Sequence, residues 1–164
     1  MRHTLSLLLE NESGALSRVA GLFSARGYNI EALSVAPTDD PTLSRMTLVT
    51  TGDEHIIEQI TKQLNKLVDV VRLVDITEAA HIEREMMLMK IRAEGEQRRA
   101  EVHRLAEIFA CKVLDVTEGT YTVELTDTTR QLDRFMDAVG ETHVIEVVRS
   151  GPAAIARGTR GLTI

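Results

Sequence analysis

The chain has 164 residues, 43% of them apolar and 27% charged, with a formal charge of −6, the profile of a soluble globular protein of one ordinary domain or two small ones. The acidic balance argues against a nucleic-acid binder, which needs a basic face for phosphate, and no apolar stretch reaches the length of a membrane span. Glu10 and Glu12 interrupt the N-terminal apolar patch before a signal-peptide core would be complete, and the single cysteine, Cys111, points to a reducing, cytoplasmic setting.

Residues 3–9 read as a Leu-rich strand. Residues 14–26 read as a helix, because Leu16, Val19, Ala20 and Phe23 recur at i, i+3, i+4 and i+7, and Gly27 stands where a left-handed residue would end it. In the turn between them Asn11 and Ser13 are both able to cap a helix, and Gly14 has no side chain to cover the first turn. The N–H groups of that turn have no internal partners, so they can meet an anion; most turns of this composition serve only as caps.

A second strand is expected over residues 30–36. Residues 37–41 form a turn with two prolines and two aspartates, and the third strand, 43–51, alternates Arg45, Thr47 and Val49 with Met46, Leu48 and Thr50. Asp53 then caps a helix bearing Ile56, Ile57, Ile60, Leu64 and Leu67, and residues 68–76 close the unit as a strand. The order is βαββαβ, the ferredoxin-like arrangement.

The pattern repeats. Strand 85–91 is followed by a charged helix after Gly95 that carries Val102, Leu105, Ala106 and Phe109 on one face. Strands 112–117 and 121–125 join near Glu118 and Gly119. A helix beginning at 126–129 carries Leu132, Phe135, Met136 and Val139, and strand 144–149 closes the second unit. The expected class is therefore α+β, with two tandem ferredoxin-like domains at 1–78 and 79–164. Each has about 75 residues, a size at which domains fold alone only marginally. The tail after Ser150 has no periodicity and is expected to be partly disordered or docked on a partner. Each sheet is expected to have two helices on one face and the other face free. Open sheet edges of this kind predict a homodimer through the N-terminal half.

Catalytic chemistry is sparse. The five histidines lie far apart without metal-ligand spacing, so no metal site is expected. Cys111 reads as a small buried hydrophobe, and no nucleophile elbow, P-loop or dinucleotide fingerprint is present. Met86, Met87 and Met89 read as strand core, and the charged run 94–104 as the wet face of a helix. This profile is that of a binding or regulatory protein.

Here a resemblance becomes specific. Residues 8–18, with Glu10, Asn11, Ser13, Gly14 and Leu16, followed by residues 21–30, with Gly21, Phe23, Gly27, Tyr28 and Asn29, resemble the opening of an ACT domain. More narrowly they resemble the small, regulatory subunits of acetohydroxyacid synthase, also called acetolactate synthase. Residues 35–47, 63–70, 83–85 and 149–151 are similar to that family as well.

The resemblance implies an N-terminal ACT domain and a large catalytic subunit as partner, in branched-chain amino acid biosynthesis. That subunit holds thiamine diphosphate, magnesium and FAD, so no cofactor is expected in this chain. It further implies that the small subunit is not catalytic alone, activates its partner and confers feedback inhibition by valine. The implied valine site is Asn11, Gly14, Ala15 and Leu16, with Asn29 and Ile30 supplied by the opposite subunit of a homodimer. The ligand's carboxylate would take helix N-terminal N–H groups, its ammonium Asn11 and backbone carbonyls, and its isopropyl group a recess near Leu9, Leu16 and Ile30. The alternatives are a free-standing ACT-type sensor acting on another enzyme or a transcription regulator, and an enzyme in its own right.

Overall fold

The structure, a computed structural model, describes residues 1–164. The first six elements are β1 (Arg2–Glu10), α1 (Ala15–Ala25), β2 (Ile30–Pro37), β3 (Leu43–Thr51), α2 (Glu54–Leu64) and β4 (Val70–Asp75). They make an antiparallel sheet of order β2-β3-β1-β4. The next are β5 (His81–Arg92), α3 (Glu96–Ile108), β6 (Lys112–Val116), β7 (Thr120–Asp127), α4 (Thr129–Val139) and β8 (Val144–Arg149), in the corresponding order β6-β7-β5-β8. A short β9 (Ala153–Ala156) follows. Two βαββαβ units of α+β architecture are thus present. The chain divides into a compact unit of residues 1–82 with 152–164 and another of residues 83–151. No helix is long and apolar enough to cross a membrane.

In the first unit the side-chain alternation of a strand decides everything about β1. Leu5, Leu7 and Leu9 point under the helices and pack with Met46, Leu48, Val19, Phe23, Ile57 and Ile60. Thr4, Ser6 and Leu8 occupy the other face. The α1 stripe is shifted from the expected phase: Ala15, Val19, Leu22 and Phe23 are buried, whereas Leu16 is 44% exposed and Ala20 is exposed. Ala15 is small enough to sit flat on the sheet, so the buried row starts one residue earlier and Leu16 turns toward solvent.

The expected caps at α1 are absent. Gly14 itself occupies the N-cap position at φ 88°, and no side chain caps the helix. Only glycine adopts that left-handed conformation without steric cost. By contrast Asp53 accepts from Ile56 N at 2.9 Å and Thr128 accepts from Gln131 N at 3.3 Å, two ordinary side-chain caps.

The tail also departs from expectation. Part of it is an ordered strand: β9 pairs with β5 and lies against β1 and β3 on the face that two helices leave uncovered. Ala154 is buried there, and its N–H donates to Thr47 Oγ1 at 3.1 Å. The tail thus covers the outer face of the first sheet over β1 and β3, while Val74 on β4 stays 38% exposed. In the second unit the residues at the equivalent outward positions stay open, with Met86 38% and Val148 51% exposed. Met87 and Met89 point inward into a core built around Phe135, Leu132 and Val102. Glu85, nearly fully buried, is held by Arg149, whose guanidinium also reaches Asp133.

Candidate functional site

The turn between β1 and α1 is fixed from both sides. Glu10 N donates to Asp69 O at 2.8 Å and Asn11 N donates to Thr42 O at 2.7 Å. The Asn11 side chain does not cap the helix: its Nδ2 donates to Pro41 O at 2.9 Å, and its Oδ1 accepts from Ser44 Oγ at 3.1 Å. The facing turn is itself locked, because Asp40 Oδ1 accepts from both Thr42 N and Thr42 Oγ1. Those two bonds hold the Asp40 carboxyl below the usual carboxylate range. Two rigid turns thus meet across Asn11.

Between them opens a cleft of about 240 Å³. That is below the ~300 Å³ at which drug-sized sites begin, and suits a smaller molecule. Its apolar lining comes from Leu9, Ala15, Leu16 and the Val35–Pro37 end of β2, its polar lining from Glu10, Asn11, Glu12 and Ser44. The first α-helical bond is Arg18 N to Gly14 O, which leaves the amides of Leu16 and Ser17 without helical acceptors at the same place. One end of the cleft can accept an anion, its rim carries two carboxylates for a cation, and its wall is aliphatic.

Of the expected site residues, Asn11, Ala15 and Leu16 line this cleft. Gly14 does not line it; it sets the conformation that starts the helix there. Asn29 and Ile30 lie elsewhere. Ile30 pairs with Thr50 while Pro37 pairs with Ser44, so they stand at opposite ends of β2, seven residue steps or about 23 Å apart. Asn29 O accepts from Thr50 Oγ1 at 2.7 Å. Val35, Ala36, Pro37, Ser44, Glu10 and Glu12 escaped the sequence reading. The usable signal was the tight Pro-Asp turn at 37–41, since an antiparallel hairpin there necessarily sets Pro37 beside Ser44.

Arg18, one turn into α1, donates from Nη2 to Asp69 Oδ1 at 2.9 Å and from Nε to Oδ2, and its Nη2 also reaches Ser13 O. The bidentate bond ties α1 to the start of β4. It holds the Asp69 carboxyl below its ordinary value. A depressed carboxyl stabilises the fold fully above the unfolded value near ~3.9, and that contribution is lost as pH falls through the lower folded value. Asp69→Asn is therefore expected to lower the urea midpoint at neutral pH. It should also flatten the fall in stability below about pH 4, where the parent loses this pair. Urea titrations of both proteins across the acid range test it; parallel pH profiles would show that the pair contributes nothing.

No group of three or more His, Cys, Asp or Glu converges anywhere in the chain. Cys111 packs against the core of the second unit, and burial pushes its thiol up to about 11, away from nucleophilic character.

A βαββαβ sheet with a small amphipathic cleft at the start of its first helix has the ferredoxin-like architecture that ACT-type domains share. Residues 5–72 match the family model of the acetohydroxyacid synthase small subunit-like ACT domain, and residues 84–158 match that of the small subunit of acetolactate synthase. The chain is 57% identical over 161 residues to the acetolactate synthase isozyme 3 small subunit of Escherichia coli (strain K12), covering 98% of each. It is 55% identical over 163 residues to the acetolactate synthase small subunit of Haemophilus influenzae, covering 99% of each. The crystal structure of the small subunit from Thermotoga maritima superposes with a TM-score of 0.86 at 34% identity, over 98% of this chain and 99% of that one. The chain belongs to the small, regulatory subunits of acetolactate synthase, and the first unit is an ACT domain.

Proposed function

We propose that this chain binds the large catalytic subunit of acetolactate synthase, raises its activity, and makes it sensitive to valine. The observation that carries this is the cleft at the start of α1, whose three kinds of surface match the three parts of a free aliphatic amino acid. The carboxylate takes the free amides of the first turn, favoured by the helix dipole. The ammonium takes Glu10, Glu12 or Asn11, and the side chain lies against Leu9, Leu16 and Val35. This chain supplies no catalytic group; thiamine diphosphate, magnesium and FAD belong to the partner. The second unit supports the inhibited state.

The cleft opens at β2, an edge strand whose Val35 is 38% exposed. A second copy seated along that edge would close the cleft and remove an unpaired strand. It would also bring Asn29 and Ile30 to a cleft that their own chain leaves about 23 Å away. Ligand binding and dimer contact are then one equilibrium, which is a physical basis for a switch.

Calorimetric titration with valine, with and without the large subunit, tests the reading. Binding to the chain itself, together with sedimentation as a dimer at micromolar concentration, is the expected result. The isolated chain should not turn over pyruvate. A clean monomer in the presence of valine would remove the shared site.

A further inference from the structure

Ser44 and Arg45 are neighbours on β3, and the alternation of a strand sends their side chains to opposite faces. Ser44 holds Asn11 in the cleft wall. Arg45 and Thr47, on the other face, hold the tail: Arg45 Nη2 donates to Ala154 O at 3.2 Å and to Ser6 Oγ at 3.0 Å, and Thr47 Oγ1 accepts from Ala154 N. Arg45 is an unusual anchor. Its burial lowers the guanidinium pKa, its contacts are neutral oxygens, and its Nε is buried without a partner. A cation in that setting depends on each oxygen it has, and one of them belongs to the tail.

We propose that residues 152–164 are a releasable strap that, seated on Arg45 and Thr47, sets the position of β3 and through it the cleft wall at Ser44 and Asn11. Release is built in. The strap fully buries only the small side chains of Pro152 and Ala154; Ala156 and Leu162 are half-buried, and Ile155 is 59% exposed. Its other ties are the pairing of the four-residue β9 with β5, Arg157 N to Ala80 O at 2.9 Å, Arg157 Nε to His81 O at 3.3 Å, and Arg72 Nη1 to Thr163 O at 3.0 Å. A segment with so little buried apolar area opens well before the sheet beneath it. When it leaves, Arg45 loses an acceptor and Thr47 its backbone donor, and β3 is freed one residue away from Ser44. The regulatory consequence rests on the amino-acid reading of the cleft: a ligand that binds better with the strap seated tightens the strap by the same factor.

The test uses the full chain, a chain ending at Gly151, and the double variant Arg45→Met with Thr47→Val. Trypsin cleavage after Arg157 and Arg160 reports strap release, and hydrogen exchange of the Asn11 and Ala15 amides, without any amino acid present, reports the cleft. The double variant is expected to be cut at least about fivefold faster than the parent, and both altered chains to exchange faster at Asn11 and Ala15 by a similar factor. Valine should slow cleavage of the parent. An unchanged exchange rate at Asn11 and Ala15 in a chain whose strap is gone or cleaved would overturn the coupling. A double variant cut no faster than the parent would show that Arg45 and Thr47 do not hold the strap, and overturns it equally. Should the shortened chain fail to fold, the double variant decides alone. Absence of valine binding to the parent by calorimetry would instead sink the effector reading, and leaves the exchange result standing on its own.

Discussion

Gly14→Asp is expected to give a folded protein that has lost most of its response to valine while still activating the catalytic subunit. Gly14 stands outside the cleft, with its Cβ direction toward Arg18, so the new carboxylate adds negative charge beside the helix start where the ligand's own carboxylate is proposed to bind. Two like charges about 4 Å apart repel by roughly 1 kcal/mol in water and roughly 4 kcal/mol at an effective dielectric of 20. Most of that range exceeds the ~1.4 kcal/mol of one tenfold step in affinity. The structure changes which control is informative. Gly14 lies at φ 88°, and a Cβ there would stand 2.8 Å from Arg18 Nη1, so any side chain strains the backbone and displaces Arg18. The left-handed conformation costs an L-residue about 1–2 kcal/mol, and Asn and Asp tolerate it best. Gly14→Ala is therefore not a mild reference. Gly14→Asn is the proper one, because it carries the same shape and the same strain without the charge. The valine dose-response of the reconstituted enzyme should shift by at least about tenfold between the Asn and Asp variants, with thermal denaturation run on each to keep the Arg18 effect in view. Coincident curves would place the anion end of the effector elsewhere.

Phe135→Ala is expected to unfold the second unit selectively. Phe135 is fully buried, with its ring edge-on to Phe109 at a centroid distance of 5.2 Å. Truncating a core Phe costs about 3–5 kcal/mol, and the lost ring pair is part of that penalty. A unit of roughly seventy residues has a total stability on the order of 4–10 kcal/mol, so this single change removes a large share of it. The first unit has its own core around Phe23, Leu7 and Leu48. Hydrogen exchange followed through increasing urea should show the amides of β5 and β7 opening early while those of β1 and β3 remain protected. Valine binding to the first unit should survive. Simultaneous opening of all four strands would mean that the two units unfold as one cooperative body, and the assignment of the effector site to the first unit alone would lose its independent support.

The doubled βαββαβ order was legible in the sequence because it rests on local rules. The period of 3.6 in 54–64 follows from the one face that α2 buries, whereas 43–51, buried on both faces, was readable from Thr and Val suited to a pleated strand. Asp53 as a cap and Gly27 as the left-handed residue after α1, at φ 68°, are equally local and were readable. The phase of α1 was not. Leu16 and Ala15 differ by one position, or about 100° of helix, and apolarity favoured Leu16 as the buried one. Only the close approach of α1 to the sheet selects the smaller residue for the core and turns Leu16 into cleft lining. β9 was illegible for a similar reason: a four-residue strand of Ala and Ile carries no period, and it is a strand through its pairing with β5 while it packs over β1 and β3.

The cleft divides along the same line. Residues 8–18, as a sequence, determined the family, the turn and the presence of an anion-seeking helix start, since those depend on neighbours within one turn of chain. What Asn11 does, which residues face it, and where Asn29 and Ile30 lie were decided only by tertiary structure. Pro41, Ser44 and Val35–Pro37 reach Asn11 through the register of β2 on β3. That same register carries Ile30 to the far end of its strand, because antiparallel pairing brings one end of a hairpin to a site only by taking the other end away from it.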